Sequence, residues 1–431
     1  MRRYRPLRGV RVLSFEAAFS LPAATRVLSE LGAEVVRVGR PVGDFPPYTH
    51  RTDGSGLNKR TVSINLQSEA GRALALQLAA QADVVCNNFR PHVMAGAGLG
   101  YAQLRTVRPD IIVLQLTGYG TPGPWQEFPA FGPSVEAAAG MDAAIGSEQD
   151  PPMKVGSGVF ADQTAGRYAA LAVLMALQRR RETGAGRYID LAMYEAIVHL
   201  LGERVLGAAA TGRPAARRGN RSPFFVPQGI YRCRGDDEWV AISVPGEQEW
   251  QALCDLAGTA ELAGLRGLGI EDRLAQHDRI DAAITRWTAS RTKGDVARSL
   301  QTLGIAAAPV QKASDLPFDE QLLARGAFQP VAHPEPVLGY VAHPHLTLSW
   351  RTQGRARPAL RDATPEGSDN RAVLRKWLGL DAAEVKRLQR EGALLEPVNK
   401  PVAQGPRVVG APVDTDFAER LGLQPAGEGS A

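Results

Sequence analysis

Short apolar runs alternate with amphipathic stretches through the first part of the chain. Val10–Glu16 (VRVLSFE) is a strand-length run rich in β-branched residues. Pro22–Leu31 reads as a helix with Pro22 in its first turn, closed by Gly32. Ala33–Val38 (AEVVRV) follows as a second strand. Val62–Leu66 predicts a third, and the helix after it, Ser68–Ala82, repeats Leu74, Leu78 and Ala82 at i, i+4 and i+8. Asp83–Cys86 and Ile111–Leu116 are buried strands; each breaks into a polar or glycine-rich loop, at Asn87–Pro91 and Thr117–Pro124. Strands alternating with helices predict an α/β fold with a largely parallel, Rossmann-like sheet. Ligands of such sheets sit at strand carboxyl ends, so the loops carrying Arg40, Asn88 and Gly118 could share one site.

The first turn is Ala17-Ala18-Phe19-Ser20-Leu21-Pro22 and lacks G-x-G-x-x-G, which disfavours a dinucleotide cofactor. Arg40–Arg60 is a long Gly/Pro-rich loop ending in Asn58-Lys59-Arg60, whose cations could clamp phosphates or simply be solvated.

Gly156–Met193 stands apart. Glycines open it, one acid sits at Asp162, and the helix after it is apolar on every side from Tyr168 to Leu177, which predicts burial all round. Arg179–Arg181 place positive charge in its last turn, and Gly184 and Gly186 end it before a strand at Arg187–Met193. An Asp before a helix is most often an N-cap. That role is compatible with a second one, because the helix terminus should keep the acid ionised and an ionised carboxylate can act as a nucleophile.

Tyr194–Ala210 predicts another helix, with His199 expected in the core. A Gly/Arg-rich connector at 211–228 leads to strands at Gly229–Cys233 and Trp239–Val244 and to helices at Glu247–Ala257, about Arg273–Arg291, and Lys293–Leu303. This is a smaller α+β domain. Pro-rich extended segments run from Asp319 to Trp350, where His343 and His345 read as loop histidines rather than zinc ligands. A helix pair at Asn370–Leu378 and Asp381–Arg390 precedes a tail, 396–431, expected to be flexible.

With 431 residues and 44% hydrophobic content there is ample core for two or three domains. Fifty Lys+Arg against forty-five Asp+Glu give +5, a small and dispersed excess that does not argue for nucleic acid. Three scattered cysteines, Cys86, Cys233 and Cys254, read as free thiols. No segment has the length of a membrane span, so a cytoplasmic protein without membrane or nucleic-acid partners is expected.

These residues resemble the class III CoA-transferases, the CaiB/BaiF or formyl-CoA transferase-like family. The resemblance rests on PLRGVRVLSFE, LGAEVVRVGRPVGD (Leu31–Asp44), the Asn58–Pro91 segment, GLGYAQLR and TGYGTPGP, on Asp162 with RRRETGAGRYIDLAM, and on RRGNRSP and RAVLRKWLGLDAAEVKRL. It implies an interlocked homodimer in which a large domain is built from both chain ends. The parts would be 1–210, a connector at 211–228, a small domain at 229–318 and a return segment at 319–395. It implies transfer of CoA from an acyl-CoA donor to a carboxylic acid acceptor through an anhydride and a thioester on Asp162. No cofactor is implied; coenzyme A is a substrate. CoA contacts would fall on Arg40, Lys59, Arg60, Asn88 and Phe89. Gly118, Tyr119, Gly120 and Gln163 would supply the oxyanion donors and acyl pocket. The chain differs from the family at Gly39, at Gly96 and at Phe131-Gly132. Phe131 stands where racemase relatives carry a proton-transferring histidine, which disfavours racemase chemistry. A non-catalytic CoA-binding subunit of a heteromeric enzyme is the alternative.

Overall fold

The computed structural model describes residues 3–39, 54–156, 159–337, 340–395 and 415–422. Six strands form one sheet: β1 (Arg11–Phe15), β2 (Glu34–Gly39), β3 (Arg60–Ser63), β4 (Val84–Asn87), β5 (Ile112–Thr117) and β6 (Arg187–Ala192). Their order is β3-β2-β1-β4-β5-β6, and every pairing is parallel. The chain reverses its direction of travel across the sheet between β1 and β4. That switch point is where the loops after the two strands part and leave a crevice.

Side chains alternate across this sheet with period two, and the alternation separates two cores. Val12, Val35, Val84, Cys86, Ile112 and Leu114 face one of them. It is closed by α1 (Ser20–Glu30) and by helices that come later in the chain. Leu13, Phe15, Val36, Val38, Val85 and Val113 face the other. There α2 (Glu69–Ala80), α3 (Pro91–Gly96) and α4 (Tyr101–Val107) contribute Leu74, Leu78, Met94 and Leu104. The first core is completed by α5 (Gly132–Ala138), α6 (Phe160–Thr183) and α7 (Met193–Leu200).

The chain divides into two compact units. One comprises 1–141, 154–206 and 320–431; the other comprises 142–153 and 207–319. The excursion at 142–153 had no signal in the sequence. Helix α8 (Gly202–Thr211) runs across the boundary at 206/207. The expected single helix over Tyr194–Ala210 is thus two helices, parted at Leu201. The second unit holds an antiparallel sheet of β7 (Gln228–Arg232), β8 (Trp239–Ser243) and β9 (Ala306–Pro309). Strand β9 reads AAAP; with no β-branched residue, it owes its form to pairing with β8 rather than to propensity. Helices α9 (Glu247–Ala257), α10 (Ala260–Leu265), α11 (Ile270–Ala275), α12 (His277–Thr288) and α13 (Lys293–Thr302) bury Trp250, Ile280, Ile284 and Leu300 against it.

The last part of the chain returns to the first unit. After α14 (Glu320–Ala324), β10 (Phe328–Val337) and β11 (Tyr340–Leu346) pair antiparallel. Pro330 and Pro344 are tolerated there because the sheet has only these two strands, both edges. His343 and His345 therefore lie on a strand, not in a loop, and His345 is buried. Helices α15 (Asn370–Leu378) and α16 (Ala382–Arg390) set Val373, Leu374, Trp377, Val385 and Leu388 into the second core. Of the tail, Thr415–Arg420 forms a short helix, α17; residues 396–414 and 423–431 lie outside the described residues.

Helix α6 is the pivot. Gly184, in the left-handed conformation at φ 69°, ends it, and Arg180 in its last turn reaches Asp83 at 2.9 Å. At its other end Gly166 lets α1 come close. A Cβ at position 166 would lie 2.7 Å from the Ser20 carbonyl and 2.8 Å from Ala23 Cβ. Backbone cannot yield there without parting the helices. Gly166→Ala should therefore lower stability by about 1–3 kcal/mol, read as a lower Tm, despite alanine's better helix propensity. An unchanged or higher Tm would show that the helices part freely.

Candidate active site

Asp162 occupies the first turn of α6, two residues past its first residue, while Val159 is the N-cap. The N-cap reading is thereby corrected. Only 6% of Asp162 is exposed. The backbone N–H groups of Ser20, in the first turn of α1, and of Asp162 itself lie near its carboxylate. Two helix N-termini thus meet at one acid, held together by the Gly166 contact. Their donors favour the ionised form.

Burial acts the other way, and so does a second acid that the sequence reading missed. Glu136 on α5 is fully buried, and its Oε1 accepts the Ala161 N–H at 2.9 Å. Burial first, and then the charge of Glu136, push the Asp162 carboxyl up to about 6. The expectation that the helix terminus would dominate is therefore reversed in sign, although Asp162 is still chiefly ionised at pH 7. An isolated acid inside an apolar alternation (SVEAAAG) was the available signal for Glu136.

The crevice between β1 and β4 supplies the frame. Asn88, just past β4, takes the Ala17 N–H on Oδ1 at 2.9 Å and donates Nδ2 to the Ala17 carbonyl at 2.8 Å. The same Nδ2 lies 3.3 Å from Ser20 Oγ. Asn88 therefore fixes the loop that presents the Ser20 N–H to Asp162. Ala18 in that loop has φ 51°, an unusual state for a residue with a side chain, and the Asn88 clamp holds it there. Phe89 is half-buried and packs on the second core.

The loop after β5 joins from the other side. Gly118 has no space for a side chain because Ala130 lies against it, and Val135 of α5 is the next neighbour. Tyr119 is packed edge-on with Trp125 and Phe128, and its ring is 5.9 Å from that of Tyr194. Two of the expected oxyanion donors are already engaged. The Gly120 N–H donates to Thr117 Oγ1 at 2.9 Å, and the Gln163 N–H donates to the Val159 carbonyl at 3.0 Å. The Gln163 side chain accepts from Arg167 at 3.1 Å.

The expected phosphate-binding cations are distributed differently. Lys59 is buried, and its ammonium donates to Glu16 Oε1 at 2.8 Å and to the Pro22 carbonyl at 3.0 Å. Burial would raise Glu16, but Lys59 and Arg37 overcome it and hold that acid at about 2. Arg60 opens β3 opposite Val36, away from the strands' carboxyl ends, and lies 3.8 Å from Asp369. Arg40 lies outside the described residues. Phe19, Val159, Gln163, Arg167, Leu171 and Trp350 are among the residues lining a cavity of about 750 Å³, which Asp162 itself does not line. His199 is exposed, edge-on to Tyr168, rather than in the core. Among the described residues no group of three or more His, Cys, Asp or Glu side chains is placed to hold a metal ion.

The model of CoA-transferase family III matches residues 7–370. The chain belongs to CoA-transferase family III. A Mycobacterium tuberculosis protein named as a probable CoA-transferase is 30% identical over 91% of this chain, which spans 51% of that relative's length. The alpha subunit of succinyl-CoA–L-malate CoA-transferase from Chloroflexus aurantiacus is 31% identical, with 89% of this chain and 91% of the relative covered. A CaiB/BaiF family crystal structure from Brucella suis superposes with a TM-score of 0.78, covering 87% of this chain and all of the other at 24% identity, and so shares the fold.

One difference from the family pattern has a physical account. The Glu366 carboxylate, on the return segment, lies where a side chain at Gly39 would begin and pairs with Arg37. At Gly96 a side chain would meet open space, and Phe131 is 61% exposed.

A carboxyl raised from 3.8 to about 6 on folding costs stability whenever it is ionised. Its contribution is fully present below the unfolded value and lost as pH rises through the folded one. Asp162→Asn should therefore be more stable than wild type at pH 7, by as much as about 3 kcal/mol. The difference should shrink between pH 6 and pH 4. Urea unfolding at both pH values tests this; equal stability at pH 7 would refute the strained acid.

Proposed function

We propose that this family III protein moves CoA from an acyl-CoA to a carboxylic acid, with Asp162 as the covalent relay. The observation that carries the reading is a buried, chiefly ionised carboxylate set between two helix N-termini at the sheet's switch point. An Asp162 oxygen attacks the thioester carbonyl, the C–S bond breaks, and the thiolate leaves with the electron pair. The thiolate then attacks the aspartyl carbonyl of the mixed anhydride and releases the donor acid as a carboxylate. Aspartyl thioester remains. An acceptor carboxylate attacks it, and the two steps run in reverse to regenerate Asp162. No proton or electron is consumed. Each tetrahedral stage puts negative charge on a carbonyl oxygen, for which the backbone at Gly118 and Tyr119 is the proposed donor source. Arg40, the residue that follows β2 in sequence, is the proposed partner of CoA phosphate. Asn88 and Phe89 border the CoA path; Lys59 supports it through Glu16.

The chemistry is open to a direct trap. Hydroxylamine attacks activated acyl groups, so acyl-CoA and hydroxylamine together should inactivate the enzyme and leave a hydroxamate on Asp162, seen as a mass change on its peptide. Asp162→Asn should stay folded and lose transfer by several orders of magnitude. A folded Asp162→Asn protein with near wild-type transfer would end the proposal. The C. aurantiacus relative is named as one subunit of its enzyme. That favours a second reading in which this chain needs a companion subunit, and transfer by the purified chain alone excludes it.

A homodimer is proposed on separate grounds. Helix α6 is apolar all round from Tyr168 to Leu177, yet Leu171 and Met175 are 52% and 64% exposed. Leu346 and Trp350, also exposed, line the cavity alongside Leu171. A second copy covering this face accounts for the pattern. Sedimentation should give a dimer that persists on dilution to nanomolar concentration, and a monomer under native conditions would refute it.

A further inference from the structure

Glu136 is unusual among the buried acids of this unit. It is fully buried, Oε1 accepts the Ala161 N–H at 2.9 Å, and Oε2 has no hydrogen-bond partner among the described residues. Among the described residues no cation pairs with it or with Asp162. Leaving a buried carboxyl oxygen bare is costly, and such a feature calls for a compensating use.

We propose that Glu136 is a positioning residue for Asp162: it fixes the first turn of α6 through Ala161, and its charge drives Asp162 toward the neutral, acylated state. The inference rests on Asp162 being the nucleophile. Free Asp162 and Glu136 are two negative charges enclosed together. When Asp162 bonds to the acyl carbon, its charge passes to the departing thiolate and the repulsion is relieved. The second acid thus raises the starting state relative to the anhydride and the aspartyl thioester. It also contributes to the upward shift of the Asp162 carboxyl.

The groups around Asp162 leave Glu136 as the charge that acts on it. From α1 the Ser20 N–H and from α6 its own N–H lie near it. Other ionisable groups on elements packed against α6 are engaged elsewhere or point to solvent. Arg26 of α1 pairs with Glu30, Arg167 of α6 itself bonds Gln163, and Asp190 of β6 accepts from Thr121. On α7, His199 lies against Tyr168 and Glu195 is exposed. Tyr188 of β6 donates to Gln115, and Tyr194 of α7 packs on Tyr119.

The test follows acyl-enzyme formation against pH in a single turnover, trapped with hydroxylamine, for wild type and Glu136→Gln. The amide keeps an acceptor for Ala161 and removes the charge. Wild type should lose its rate with a midpoint near pH 6, where Asp162 takes up a proton. In Glu136→Gln the midpoint should fall by about one pH unit and the rate at pH 7.5 by about tenfold. A merely structural role would lower the rate without moving the midpoint. A variant with the wild-type midpoint overturns the inference while the trapped adduct leaves the nucleophile standing. Failure of wild type itself to form an adduct brings down both. Should Glu136→Gln not fold, Glu136→Met removes the charge at similar volume, and the same midpoint shift is expected of it.

Discussion

The close crossing of α1 and α6 is the constraint on which the rest of the site depends. Without a side chain at Gly166, the Ser20 backbone comes within bonding reach of the acid one turn earlier on the same helix. That contact brings two helix N-termini to a single carboxylate, and the orphan N–H groups at each end become its donors. Every other element of the frame holds this junction in place. Asn88 ties down the loop entering α1, Arg180 anchors the far end of α6 on Asp83, and Glu136 grips Ala161 at the near end.

Much of this fold is legible in the sequence because the parallel strands are short, buried and separated by amphipathic helices. Period-two alternation then has only one consistent sheet to belong to. The helices with strong end signals, such as Asn370–Leu378 and the capping box at Asp381 and Glu384, lie where they are read. What fails does so for identifiable reasons. Strand β9 has no intrinsic strand preference, and residues 142–153 join the second unit without any change in composition. The apolar run of α6 records burial, but part of its surface is exposed in the single chain.

The candidate site is legible as a residue, not as an environment. Asp162 is found from its setting of glycines and a core helix. Its electrostatics are not, because they come from Glu136, twenty-six positions away and carried by another helix. The same holds for Lys59. A basic cluster at a loop end looks like an anion clamp until Glu16 is found beside it in the fold. Local sequence reports which groups are available; only packing decides which are already satisfied.

Two buried acids, Glu16 just past β1 and Asp162 in the first turn of α6, show how differently one interior can treat the same group. Glu16 receives Lys59, with Arg37 3.5 Å away and Thr25 donating at 2.6 Å, and its carboxyl is held at about 2 despite complete burial. Such an acid is stable, saturated and a poor nucleophile, since every lone pair is committed. Asp162 is given neutral N–H donors and an acidic neighbour instead. Dipoles at two helix ends keep it ionised at neutral pH without neutralising it, so the lone pairs stay available. Lys59 and Arg37 lie at Glu16, while among the described residues no cation pairs with Asp162. That placement of the cations is what separates the saturated carboxylate from the one proposed as the nucleophile.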